Sequence, residues 1–220
     1  MPDDRRTRDV VVRFLVLLLV LLLHGCSEEA VYIALPANAT VLAFGDSVTY
    51  GTGAGAGEDW PSLLAEDTGW NVVNAGISGD TAHKAQYRLP ALLAELEPDL
   101  VIIGLGGNDF LRRLPLADVR AALRSMIIQV QGEGAIPVLL SVPKFSMLRA
   151  TLGSHSDAPM YAEIAEELGA LLAADVFADV LSDENLRADP IHPNASGYRV
   201  FNQRLIDYLK VWGLLKRGSD

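Results

Sequence analysis

The chain has 220 residues, 50% of them hydrophobic and 21% charged, with a formal net charge of -10 and a single cysteine. That is one domain's worth of chain, long enough to bury a core without covalent staples, and a lone cysteine excludes an internal disulfide scaffold. Twenty-eight acidic against 18 basic residues speak against nucleic acid as a partner, because phosphate-backbone binding needs a dense cationic surface.

The elements begin with Arg5, Arg6, Arg8 and Arg13, which precede an unbroken apolar run from Phe14 to Leu23. Those ten residues fall short of the roughly 20 that a spanning helix needs. A basic stretch, a short apolar stretch and small residues at the end form the layout of a secretory signal. Leu23-His24-Gly25-Cys26 resembles a bacterial lipobox. The resemblance implies a leader over residues 1–25, lipid on Cys26 as the first mature residue, and membrane attachment through that lipid. Ser27, standing where an Asp would imply retention at the inner membrane, points to the outer membrane. Residues 26–39 then read as the lipidated cysteine and a tether. Loss of the leader takes four Arg and three Asp with it, leaving a net charge of -11.

From Thr40 the pattern changes. Val41–Phe44, Leu100–Leu105 and Ile136–Val142 are short apolar runs without polar alternation, as expected of strands buried on both faces. Trp70–Val73 is a weaker fourth. Val119, Leu123, Met126, Ile127 and Val130 recur at helical spacing, as do Tyr161, Ile164, Ala165 and Leu168. Gly132 and Gly169 mark the two stops. A last helix carries Tyr198, Phe201, Leu205, Tyr208, Leu209 and Trp212 on one face, with Asn194 as its cap. Alternating strand and helix predicts one α/β domain over residues 40–215, with a mostly parallel sheet and helices on both faces. In such sheets ligands bind beyond the carboxyl ends of the strands.

Small and polar residues cluster at those ends. Gly45-Asp46-Ser47 follows the first run, Asn74 to Asp80 follows the second, and Gly106-Gly107-Asn108-Asp109 follows the third. A serine hydrolase also needs a base and a carboxylate to orient it. Of the four histidines, His24 belongs to the leader, while His83 and His155 read as structural or solvated. Only His192 has a carboxylate, Asp189, three residues before it in a Pro-bounded turn. Each feature taken singly has a plainer reading: Ser47 as a helix cap, Gly79 as a turn glycine, Asn108 as an Asx turn. Gly51, Gly53, Gly55 and Gly57 do not make a dinucleotide loop, since G-x-G-x-x-G would need glycine at position 56, which is Ala56. The α/β-hydrolase elbow G-x-S-x-G also fails, at Thr49.

Together and in order, Gly45-Asp46-Ser47, Ser78-Gly79-Asp80-Thr81, Gly106-Gly107-Asn108-Asp109 and Asp189-Pro190-Ile191-His192 resemble the four blocks of the GDSL, or SGNH, hydrolase family. That resemblance implies a three-layer α/β/α fold with a flavodoxin-like sheet. It implies Ser47 as nucleophile, His192 as general base and acid, and Asp189 as its orienting partner. The backbone N–H groups of Ser47 and Gly79 and the side-chain amide of Asn108 would form the oxyanion hole. Asp46 and Asp109 are expected to hold loops rather than react. The chemistry calls for no metal and no cofactor.

Trp60-Pro61-Ser62-Leu63-Leu64, Val72 to Gly76, Ile77 to Thr81 and Arg88 to Leu93 are further similar to the branch of acyl-CoA thioesterase I, lysophospholipase and arylesterase. The expectation is an exported, periplasm-facing serine esterase acting on lysophospholipid, acyl thioester, or aryl and short-chain esters. A carbohydrate or cell-wall O-deacetylase is the alternative enzyme, and a non-catalytic ligand-binding lipoprotein the alternative of another class. Residues 143–159 depart from that branch. Phe110, Phe145, Met147 and Leu148 suit an apolar pocket and an ordinary core equally well.

Overall fold

A computed structural model describes residues 32–143 and 156–216, and the body from Ile33 onward forms one compact unit. The expected leader over residues 1–25, Cys26, His155 and the candidates Phe145, Met147 and Leu148 lie outside the described residues.

Five strands make one parallel sheet: β1 Thr40–Gly45, β2 Asn71–Gly76, β3 Leu100–Gly104, β4 Ile136–Leu140 and β5 Leu171–Ala173, in the order β2-β1-β3-β4-β5. Val41 to Phe44 and Leu100 to Ile103 are fully buried. Their uninterrupted apolar character follows from that position, with a helix layer over each face. β2 is an edge strand whose residues are half-buried or exposed, which is why its apolar signal is weaker. β5, at three residues, is too short to carry a period at all.

Nine helices occur among the described residues: α1 Ser47–Tyr50, α2 Trp60–Thr68, α3 Ala82–Ala85, α4 Leu89–Leu96, α5 Gly107–Leu111, α6 Leu116–Gly132, α7 Met160–Leu168, α8 Val176–Ser182 and α9 Ala195–Val211. α9 packs on α2 and α8 as one layer, and α6 packs on α3, α4 and α7 as the other. The α6 face of Val119, Ala122, Leu123, Met126, Ile127 and Val130 is buried, each large side chain contributing roughly 1.5–3 kcal/mol. Asn194 caps α9 as expected, its side chain accepting from the Gly197 N–H at 3.0 Å. Gly169 ends α7 in the left-handed conformation, at φ 63°. Gly132, expected as a stop, is instead the last helical residue of α6, and the left-handed turn comes at Gly134, φ 78°. In the α9 layer Trp60 stacks on Phe201 with ring centroids 5.8 Å apart, and Phe177 meets Phe201 edge-on at 6.3 Å.

The order 2-1-3-4-5 places the reversal of strand order between β1 and β3, where a crevice opens beyond the carboxyl ends. A small antiparallel hairpin, β6 Arg187–Asp189 and β7 His192–Pro193, lies just before α9. No helix of the described residues is long and apolar enough to cross a membrane.

Candidate active site

Ser47 is the first residue of α1, two residues past the end of β1. The turn that delivers it is made by Asp46, whose Oδ1 accepts from the Val48 N–H at 3.1 Å, so the helix cap is Asp46 and not Ser47. α1 lies close on the sheet because the strand ends are glycine. A Cβ on Gly76 would collide with the backbone nitrogen of Tyr50 and stand 2.6 Å from the Thr49 carbonyl carbon; one on Gly45 would meet the Thr49 hydroxyl.

His192 arrives from the other side of the crevice on the hairpin. Asp189 Oδ1 accepts from the backbone N–H groups of Ile191 at 2.8 Å and His192 at 2.9 Å, which folds the turn back on itself. Its second oxygen, Oδ2, is then 2.7 Å from His192 Nδ1. With Nδ1–H donating to that carboxylate, Nε2 is left as the acceptor, and Ser47 Oγ donates to it at 2.9 Å. The His192 side chain is 13% exposed and that of Asp189 45%. Burial raises the Asp189 pKa, but the hydrogen bond from His192, the Ile191 N–H and the His192 charge outweigh it and hold the carboxyl below its ordinary value. A carboxylate that stays ionised keeps the imidazole in one tautomer and stabilises the imidazolium when it forms.

Asn108 is in the first turn of α5, directly after β3. Its Nδ2 donates to Asp46 Oδ2 at 3.1 Å. Asp46 is only 6% exposed, and burial pushes its pKa up to about 6 against the bonds from Val48 and Asn108 and the attraction of His192. Asp109 is fully buried, and its Oδ2 accepts from the Ala82 N–H at 2.9 Å, tying the β3 end to the segment after β2. Its carboxyl is likewise raised by burial. Asp46 thus bonds the Val48 turn and Asn108, and Asp109 bonds the start of α3 at Ala82. Gly79 has φ 79°, which favours glycine, and its carbonyl accepts from Arg112 Nη2 at 2.8 Å.

The cavity at this crevice is lined by Ser47, Asn108 and His192 together with apolar Leu111, Leu140 and Phe177. Gly79 is not among its lining residues, nor is Phe110, which packs edge-on against Tyr161 at 6.4 Å. Phe110 thus belongs to the packing. His83 is exposed, meets the edge of Tyr87 and has Gln86 Nε2 3.4 Å from its Nδ1, all on the same short stretch of chain. The hairpin, the apolar wall from β4 and α8, and the Arg112 brace escaped the sequence reading. The hairpin strands are three and two residues long, too short for periodicity, and a wall assembled from a strand and a helix far apart in the chain leaves no local pattern.

Residues 43–200 match the GDSL-like lipase/acylhydrolase family. Esterase TesA of Pseudomonas aeruginosa is 42% identical over 127 residues, 56% of this chain and 63% of that protein. The chain therefore spans just under two thirds of that relative. Thioesterase 1/protease 1/lysophospholipase L1 of Escherichia coli is 34% identical over 161 residues, covering 70% of this chain and 76% of its own. Among solved structures, the psychrotrophic esterase EstA from Pseudoalteromonas sp., inhibited by monoethylphosphonate, superimposes with a TM-score of 0.68 at 28% identity, over 80% of this chain and 98% of that one. With its sheet order, its serine and histidine at the switch point and this match across most of its length, the chain belongs to the GDSL-like lipase/acylhydrolase family.

Proposed function

We propose that the protein is a serine esterase that hydrolyses carboxylic esters or thioesters through an acyl-enzyme on Ser47. The observation that carries the proposal is the relay from Ser47 Oγ to His192 Nε2, 2.9 Å, and from His192 Nδ1 to Asp189 Oδ2, 2.7 Å. As Ser47 Oγ attacks the carbonyl carbon, its proton passes to His192 Nε2 and the carbonyl electron pair moves onto oxygen. The N–H groups of Ser47 and Gly79 and the Asn108 amide receive that oxyanion. Its collapse breaks the bond to the leaving alcohol or thiol, which takes the proton from His192. Water then repeats the sequence on the acyl-enzyme and releases the acid.

The apolar lining from Leu111, Leu140 and Phe177 supports acyl chains longer than acetyl, and so an esterase of the lysophospholipid and thioester type over a deacetylase. Residues 1–25 act as an export leader and Cys26 as a lipid anchor, with residues 26–39 as tether and 40–215 as the hydrolase domain, facing the periplasm from the outer membrane. The basic and then apolar start of the chain supports this.

The test is turnover of p-nitrophenyl esters of graded acyl length and of an acyl thioester. Medium acyl chains should be preferred, and Ser47→Ala should lower kcat by at least roughly 10⁴-fold. Unchanged turnover by Ser47→Ala would overturn the mechanism, and turnover confined to acetyl would favour the deacetylase.

A further inference from the structure

An asparagine makes a good oxyanion donor only one way round. Its carboxamide carries two N–H donors on one side and an acceptor oxygen on the other. The two ends are nearly equal in shape, and the torsion that exchanges them is broad. Turned the wrong way, Asn108 would present its oxygen to a developing negative charge. Something beside it has to decide the orientation.

Only Asp46 hydrogen-bonds the Asn108 side chain among the described residues, with Asn108 Nδ2 donating to Asp46 Oδ2 at 3.1 Å. Asp46 cannot turn away, because its other oxygen accepts from the Val48 N–H at 3.1 Å and the side chain is 6% exposed. A reversed Asn108 would set two acceptor oxygens against each other in a buried place, at the cost of an unmet hydrogen bond. The same carboxylate caps the helix that begins with Ser47. The nucleophile's turn and the Asn108 amide are thereby referred to one group.

We infer that Asp46 is the positioning residue of the oxyanion hole: its carboxylate fixes which end of the Asn108 amide faces the reacting carbonyl. This rests on the esterase reading of the Ser47 site. It also predicts a proton dependence, since a protonated Asp46 can donate to a reversed Asn108 and the preference is lost. The groups around Asp46 are His192 on β7, Asp109 on α5, Tyr161 on α7 and Tyr198 on α9, with Arg88 bonded to the neighbouring Gly45 carbonyl at 3.0 Å. His192 favours the ionised carboxylate and Asp109 opposes it, while burial sets the carboxyl at about 6. Loss of the preference thus falls in the mildly acidic range.

The experiment uses the full-length protein and p-nitrophenyl butyrate. Ser47→Ala comes first; if it leaves turnover intact, the esterase reading fails whatever Asp46 does. With that control inactive, Asp46→Asn is expected to lower kcat by about 10- to 100-fold with KM changed less than about threefold, somewhat below the loss of a whole oxyanion donor. Asp46→Ser, which can still cap α1 but is too short to hold Asn108, should lose a similar factor and guards against a fold defect. In an Asn108→Ala background the same changes should cost less than about threefold, since the residue through which Asp46 acts is already gone. The acid limb of kcat/KM should fall with a two-proton slope in the wild type and a one-proton slope in Asp46→Asn. Equal losses in both backgrounds, or a two-proton slope retained without the carboxylate, would overturn the inference.

Discussion

Asp46 has a second consequence at the residue scale, for stability. Burial holds its carboxyl at about 6 in the folded chain against 3.8 for the ordinary group. Between those values the folded chain keeps a proton that the unfolded chain has released, so the contribution of Asp46 to stability falls as pH rises across this window. The full effect is on the order of 3 kcal/mol. Asp189 has the opposite sign. Its lowered carboxyl favours folding above the ordinary value and loses that contribution as pH falls below it. Urea unfolding of wild type and Asp46→Asn at pH 4 and pH 7 separates the two residues. The variant should gain about 1–3 kcal/mol relative to wild type between the two conditions, because only the wild type must ionise Asp46. Stability curves that run parallel would mean that Asp46 pays no burial penalty. A residue that slows catalysis when removed and yet costs stability when ionised follows the general trade between site function and fold.

At the element scale, the seating of α1 on the strand ends depends on side chains that are missing. Gly76→Ala drives a Cβ into the backbone of Thr49 and Tyr50, and backbone cannot swing aside as a flexible side chain would. The expected cost is about 1–3 kcal/mol, accompanied by a drop in kcat as Ser47 moves off His192. Gly132 is the control. It is the last helical residue of α6, with nothing within 4 Å of an added Cβ, so Gly132→Ala should raise stability by up to about 0.5 kcal/mol and leave turnover unchanged. Thermal unfolding and ester turnover of the two variants side by side test the assignment. The hairpin of β6 and β7 is the other element that matters. The Asp189 side chain bonds the two backbone N–H groups of its own turn and so holds both partners of the relay on one small rigid piece.

For the whole molecule, the acidic charge and the apolar content belong to different parts of the chain. Residues 1–25 contain the long apolar run, and the remainder of the chain carries the net negative charge. The anchoring proposal predicts that Cys26→Ser releases the esterase from membranes while leaving turnover of soluble esters intact, as measured by activity in membrane and soluble fractions. Two acyl chains hold a protein firmly and none holds it at all. Activity that stays with the membranes after Cys26→Ser would point to an uncleaved anchor in place of lipid.

Much of this protein was legible in the sequence because the information is local. Val41–Phe44 and Leu100–Ile103 are unbroken apolar runs because each sits in the sheet interior, and Val119 to Val130 repeat at helical spacing because one face of α6 is buried. Those two periods determine alternating strands and helices, and the blocks at the strand ends name Ser47, Asn108, Asp189 and His192 as candidates. The sequence could not say how these residues meet. Ser47 and His192 are 145 positions apart, and only the 2-1-3-4-5 strand order and the return of α9 beside α2 bring them within 2.9 Å. Tertiary structure likewise decided that Asp46 faces Asn108 across 62 positions, that Phe110 packs on Tyr161 and away from the cavity, and that the cavity wall comes from β4 and α8. Such contacts depend on the crossing of separate elements, and no spacing within a single element encodes them.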